Sequence, residues 1–196
     1  MPIPNYRFRS AVAVVAALNL AYFGVEFSVA LSIGSVSLFA DSIDFLEDTT
    51  VNFLILAALG WSAHKRSLVG MLLAVLLLIP GVATLWTAWE KFGSPIPPDA
   101  VSLGLTGAGA FVVNVSCALI LAKFRKHTSS LTRAAYLSAR NDAVANIAII
   151  AAGIVTAVTV SFWPDVIVGL GIFAINLDAA REVYSTARRE HIDARR

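Results

Sequence analysis

The chain has 196 residues, 58% of them hydrophobic and only 14% charged, with a mean hydropathy of +0.76 and a net charge of +2. Soluble domains carry about a quarter charged residues, so this composition leaves too little polar surface for a soluble globule and excludes disorder, which needs the opposite balance. A single cysteine, Cys117, excludes an internal disulfide or a cysteine zinc cluster, and the small net charge gives no indication of nucleic-acid binding. An all-α, polytopic membrane protein is the class that fits.

A bilayer-spanning helix needs about 20 mostly apolar residues. In chain order, the first span covers about Ala11–Ile33 and carries Glu26, and the second covers Ser37–Trp61 and carries an acidic cluster. Ser32-Ile33-Gly34-Ser35 separates them, where Gly34 is free to take the backbone angles of a tight turn. Ser67–Trp89 and Ala100–Ala122 follow without a charge. The fifth apolar stretch, Ala143–Pro164, is expected to enter the membrane near Ala134 and leave near Val160. Val166–Val183, with Asp178, is the sixth. Polar punctuation at Ala63–Arg66, Glu90–Asp99 and Lys123–Arg133 supports a count of six. Residues 1–186 therefore read as one six-helix transmembrane domain and 187–196 as a short charged tail.

Orientation follows from the basic residues, which favour cytoplasmic segments. With the N-terminus inside, the inner segments hold Arg7, Arg9, Lys65, Arg66, Lys123, Arg125, Lys126, Arg133, Arg181, Arg188, Arg189, Arg195 and Arg196, thirteen of the fifteen. Lys91 lies in an outer loop and Arg140 within the fifth span. Both termini are assigned to the cytoplasm, and the first span, without a cleavage site behind a short apolar core, reads as a retained helix.

Ionisable groups at membrane depth cost about 2.5–3.5 kcal/mol each on insertion scales and mark function. On the second span, Asp44 and Asp48 stack on one helical face with Asp41 and Asn52 beside them and Glu47 on the flank. Such a stripe cannot face lipid. On the fifth span, Asp142 lies about 12 Å from the cytoplasmic edge, while Asp44 and Asp48 lie about 10 and 16 Å from the opposite face, at 1.5 Å per residue. Within a hydrocarbon core of about 30 Å these depths nearly coincide, so two helices bring three carboxylates together near the midplane. Clustered carboxylates in low dielectric retain protons when empty, and a divalent cation displaces them because ligating oxygens must be ionised. Metal binding and proton release then become one exchange. No nucleophile with a base, phosphate loop or dinucleotide turn is present, so an enzyme is not indicated. His64, His127 and His191 all fall in cytoplasmic segments, away from the buried acids.

Gly34-Ser35-Val36-Ser37-Leu38-Phe39-Ala40-Asp41-Ser42, followed by Asp44-x-x-x-Asp48, resembles the second helix of the cation diffusion facilitators, six-helix transporters that exchange zinc or related divalent metals for protons. Trp163-Pro164-Asp165 with Gly169-Leu170-Gly171 is similar to the start of their sixth helix. The resemblance implies metal ligands at Asp44, Asp48 and Asp142. It sets Ser138 where the family commonly has a histidine, so the fourth ligand is sought among Ser138, Asn141, a water or an acid such as Glu47. Asp41, Glu47 and Asn146 are candidates for orienting the site or relaying protons. Zinc favours imidazole or thiolate and all-oxygen sites suit harder ions, so iron, cobalt and manganese stand beside zinc as cargo. The family's C-terminal cytoplasmic domain has no counterpart here, so a homodimer would rely on the transmembrane helices.

The expectation is a multi-pass transporter of the cell membrane, the inner membrane in a Gram-negative source, that moves a divalent transition metal out of the cytoplasm against protons. Its partners are the metal ion, protons and the lipid bilayer, with no nucleic acid and no prosthetic group. The rivals are a non-transporting membrane module whose acids pair with Arg140 or with a partner's basic residues, and an organic-cation/proton antiporter.

Overall fold

A computed structural model describes residues 5–58, 78–124 and 130–177, which hold six helices and no strand. They are α1 (Asn5–Ile33), α2 (Val36–Ala58), α3 (Leu78–Gly93), α4 (Ala100–Ala122), α5 (Ser130–Thr159) and α6 (Trp163–Leu177). Each falls on one of the six expected spans, in order. By length and composition, α1, α4 and α5 can cross a membrane. The 23-residue α2 has the length, but its four acids interrupt the apolar run. Ser67–Leu77 of the third span, His64, Lys65, Arg66, His127, Asp178, His191 and residues 187–196 lie outside the described residues.

Polar and apolar side chains are inverted relative to a bundle that folds in water. Val14, Leu20, Leu105, Val112, Leu119, Val144, Ile154 and Val158 point outward, whereas Asn19, Glu26, Asp41, Asn52, Asn146 and Asp165 are buried. Aliphatic faces this extensive require an apolar solvent, and the chain is a polytopic all-α membrane protein.

The most extensive contacts run between α1 and α2 and between α4 and α5, and contacts of α1 with α4 and of α2 with α5 join the two pairs. Since lipid is as apolar as a helix face, close van der Waals packing must hold such pairs together. Gly107 lets α4 approach Ile149 of α5, and Gly109 lies under the Tyr22 hydroxyl of α1. Two apolar clusters result. One joins Phe8, Val12, Val15, Ile55, Cys117, Leu121, Ala135 and Ala139. The other joins Ala30, Leu38, Phe39, Ile43, Leu103, Ile149 and Ile172. By residue number, Asn19 and Glu26 on α1, Asp44, Asp48, Thr49 and Asn52 on α2, Asn114 on α4 and Asn146 on α5 fall between these two clusters, so a polar layer lies between two regions of apolar packing.

The α1–α2 turn is held by a carboxylate from a distant helix. Gly34 adopts a φ of 63°, as its position between two helices requires. The Ser35 hydroxyl then caps α2 by accepting from the Leu38 amide at 3.1 Å. Buried Asp165, near the start of α6, accepts from the Ser35 hydroxyl at 2.7 Å, the Val36 amide at 2.8 Å, and the Ser37 amide and hydroxyl at 3.1 and 2.6 Å. These are the amides a helix leaves unpaired at its N-terminus, where a negative charge is also favoured. Gly169, one turn further along α6, lies so close to Val36 that an added Cβ would come within 2.7 Å of its backbone. Asp165 and Gly169 therefore fix α6 against the beginning of α2.

The segment from Glu90 departs from the expected outer loop. Helix α3 continues through Glu90 and Lys91 to Gly93, helped by Trp86, whose indole N–H donates to Glu90 one turn ahead at 2.9 Å. Lys91 is not solvated but 8% exposed, its Nζ donating to the Ile96 carbonyl at 2.8 Å and lying above Gly34. Beyond the apolar run that ends at Trp89, burial pushes the Lys91 pKa below the usual lysine value, while the neighbouring Asp165 carboxylate opposes that shift. Asp99 caps α4 by accepting from the Ser102 amide at 2.8 Å. The fifth span ends as expected: α5 stops at Thr159, and Val160 turns the chain with a φ of 48°.

Replacing Asp165 by alanine leaves the Ser35 and Ser37 hydroxyls and two amides without their acceptor. A loss of about 3 kcal/mol is expected, read as a lower thermal midpoint of the detergent-solubilised protein. An unchanged midpoint would contradict the role given to this carboxylate.

Candidate functional site

Helix α2 brings its polar face inward because its hydroxyls are satisfied on its own backbone. Ser42 Oγ donates to the Phe39 carbonyl and Thr49 Oγ to the Phe45 carbonyl, both at 2.7 Å, and Asn52 donates to the Asp48 carbonyl at 2.7 Å. The aspartates cannot be satisfied locally in this way, since an ionised carboxylate only accepts. Donors come from three other helices.

The Asp48 Oδ1 accepts from the Ser138 hydroxyl of α5 at 3.0 Å, and its Oδ2 from the Asn19 amide of α1 at 3.4 Å. The Asn19 carbonyl in turn faces the Cys117 thiol of α4 at 3.5 Å. Asp44 accepts from the Asn176 amide of α6. Asp41 accepts from the Asn146 amide of α5, whose carbonyl accepts from Asn114 of α4 at 2.9 Å. Each of the three aspartates on α2 is thus tied to different side chains.

Asp142 follows Ser138 by one turn on α5 and is half-buried. It lies within electrostatic range of Asp48, Asp41 and Glu47, and Asp44 within range of Asp142. Glu47 is half-buried on the flank of the stripe, as its angular position implies. Asn141 points away from this layer: it is exposed and its carbonyl accepts from Arg140 at 3.2 Å. Arg140 is itself exposed. Of the two fourth-ligand candidates on α5, Ser138 is the one joined to an aspartate of the stripe.

Among the described residues, no three His, Cys, Asp or Glu side chains close around a point to form a ready-made metal cage. The α2 aspartates share one layer but are spread along it, each held by an amide or hydroxyl. Among the described residues, every hydrogen bond these aspartate side chains receive comes from a neutral donor or a backbone-neutral group. Such donors orient a carboxylate without cancelling its charge. Several carboxylates in one low-dielectric layer therefore require protons or a mobile cation.

Asn114 and Asn176 are members of this network that the reading of the sequence missed. Their signal was available: each is a lone amide in an otherwise apolar segment of a span, and such a group seeks a partner across the bundle. Asn19, a further amide within the first span, has Asp48 as its partner. Cys117 is buried in an apolar cluster and also touches Asn19.

The family model for the cation efflux transmembrane domain matches residues 12–190. A comparison with curated proteins finds no match.

A two-step substitution tests the amide pairing. Asn176→Leu leaves the Asp44 carboxyl without its donor and should lower stability by about 1–3 kcal/mol. Adding Asp44→Leu should restore part of that loss, because removing both partners of a buried bond costs less than orphaning one. Additive losses in thermal unfolding of the two single variants and the double variant would contradict the pairing.

Proposed function

The chain belongs to the cation efflux family and is a cation efflux transporter; from that membership we propose that its cargo is a divalent transition metal, exchanged for protons and moved out of the cytoplasm. The observation that carries this reading is the gathering of Asp44, Asp48 and Asp142 from two helices into one buried layer supplied with neutral donors. A divalent ion neutralises that layer, and its binding must expel whatever protons the carboxylates hold. Protons rebinding after release reset the layer for the next ion.

In the proposed site, Asp44, Asp48 and Asp142 are the metal ligands. Ser138 is the preferred fourth donor, because it already bonds to Asp48. The spread of the acids implies that the ion draws them together, with Asn19 and Asn176 steering Asp48 and Asp44 as they move. Zinc leads as cargo on family grounds, while an oxygen-rich site with serine in place of imidazole also suits iron, cobalt or manganese. Asp41, Glu47 and Asn146 flank these ligands and serve to orient them or to relay protons. Alternating access by rocking of the helices about this layer, cytoplasmic termini, residence in the cell membrane and a homodimer through the helices belong to the same proposal. Arg140 does not support the rival module, since it is exposed and donates to Asn141.

Vesicles containing the native protein, loaded with a pH indicator, would be exposed in turn to zinc, manganese, cobalt and iron. Metal movement should be matched by proton movement in the opposite direction, and Asp48→Ala should reduce both to the rate of empty vesicles. Ser138→His should shift preference toward zinc by about tenfold or more, the effect of a better-matched ligand. A fully active Asp48→Ala protein, or proton movement indifferent to metal, would overturn the proposal.

A further inference from the structure

Glu26 on α1 is completely buried, and neither of its carboxyl oxygens has a hydrogen-bond partner. Across the α1–α2 contact it meets the carboxyl group of Asp41. One Asp41 oxygen accepts from Asn146, and the other, Oδ1, is buried and without a partner. Two acceptor groups therefore face each other with no donor between them. An isolated buried carboxylate is among the most costly groups a protein can hold, and it takes up a proton or a cation instead.

We propose that Glu26 and Asp41 form a proton-binding pair, separate from the metal acids, that holds one shared proton. A single proton turns one carboxyl into a donor and leaves the other as acceptor, which satisfies both orphaned groups at once. The remaining negative charge rests on the pair, where the Asn146 amide supports it. A metal ion fits less well. The Tyr22 hydroxyl, one turn away on α1, is already donated to the Thr106 carbonyl at 2.6 Å, and the Asn146 carbonyl is taken by Asn114. Two carboxyl groups alone do not make up the six or more oxygens of a hard-cation site. The other titratable groups facing the pair are Tyr22 from α1, Asp44 from α2 and, through Asp41, Asp48 from α2 and Asp142 from α5. None of these supplies a positive charge.

The position gives the pair its use. At 1.5 Å per residue, Glu26 lies about 10 Å from the end of α1 and Asp41 about 8 Å from the start of α2. Asp41 is close to one turn, and Glu26 about 2 Å, nearer the α1–α2 turn than Asp44. The pair therefore stands between that end of the bundle, assigned to the outside, and the metal acids. Resting on the antiport reading, this makes it the station at which an incoming proton waits while the metal still occupies the layer below. Asn146 ties it to α5 four residues beyond Asp142, so a charge arriving at Asp142 is felt at Asp41.

Infrared difference spectra recorded through pH steps on the purified full-length protein test the pair directly. With zinc bound, so that the metal acids hold no protons, the native protein should show the carbonyl stretch of a buried protonated carboxylic acid. Glu26→Gln and Asp41→Asn should each remove that same band, while Asp48→Asn should retain it. Either of the first two variants alone suffices if the other does not fold. A native protein without such a band, or a band that survives Glu26→Gln or Asp41→Asn, would overturn the proposal. In vesicles, Glu26→Gln should bind zinc within about twofold of native but exchange one proton fewer per ion, and an unchanged count would remove the pair from the exchange. Failure of the native protein to exchange metal for protons would defeat the antiport reading alone, because the infrared result judges the pair without it.

Discussion

A carboxylate in a low-dielectric interior must find donors and compensating charge or lose its ionisation. Helix α2 places four acids between Asp41 and Asp48 within a membrane protein, and much of the bundle follows from that requirement. The stripe must face inward, and its donors come from other helices, since the Ser42 and Thr49 hydroxyls of α2 already donate to its own backbone. Asn19, Ser138, Asn146 and Asn176 supply them from α1, α5 and α6, with Asn114 of α4 behind Asn146. These bonds set the rotation of each helix about its axis more specifically than apolar contacts do, since aliphatic faces are interchangeable with lipid.

Neutral partners also leave a transport site able to work. A lysine or arginine paired with each aspartate would neutralise the layer permanently and exclude a cationic cargo. Amides and hydroxyls position the carboxylates and leave their charge to be balanced by something that comes and goes. The apolar clusters above and below hold this layer away from both surfaces, and the Asp165 clamp anchors α6 to the start of α2 at one end. Asp44 bonds to the same α6 through Asn176. A movement of α6 would therefore be felt at both the clamp and the acids of the proposed metal site, which offers a physical route for coupling the two.

The fold was legible where the signal was one of length and solvent. Ala100–Ala122 was read from its apolar run alone, and the structure places α4 on those residues. Gly34 and the end of the fifth helix near Val160 were legible because a turn leaves a local mark. The end of α3 was not, since Glu90 and Lys91 look like solvated loop residues until Trp86 and Ile96 are seen to partner them. At the site, the aspartate stripe was visible from helical periodicity, which needs only one helix. Its donors were not, because pairing Asn176 with Asp44 across 132 positions depends on how six helices are arranged. Asp165 shows the same limit: its place at the head of the sixth helix resembles the family, but its partnership with Ser35 and Ser37 is a tertiary fact.

The central claim is that Asp44, Asp48 and Asp142 bind a divalent cation at the expense of protons. Its most direct test is a count of protons released when zinc, and separately manganese, is added to the solubilised protein in weak buffer at two pH values. The account predicts at least one proton released per bound ion, with the number falling at the higher pH as fewer protons remain to be displaced. Metal bound with no proton released at either pH would contradict it.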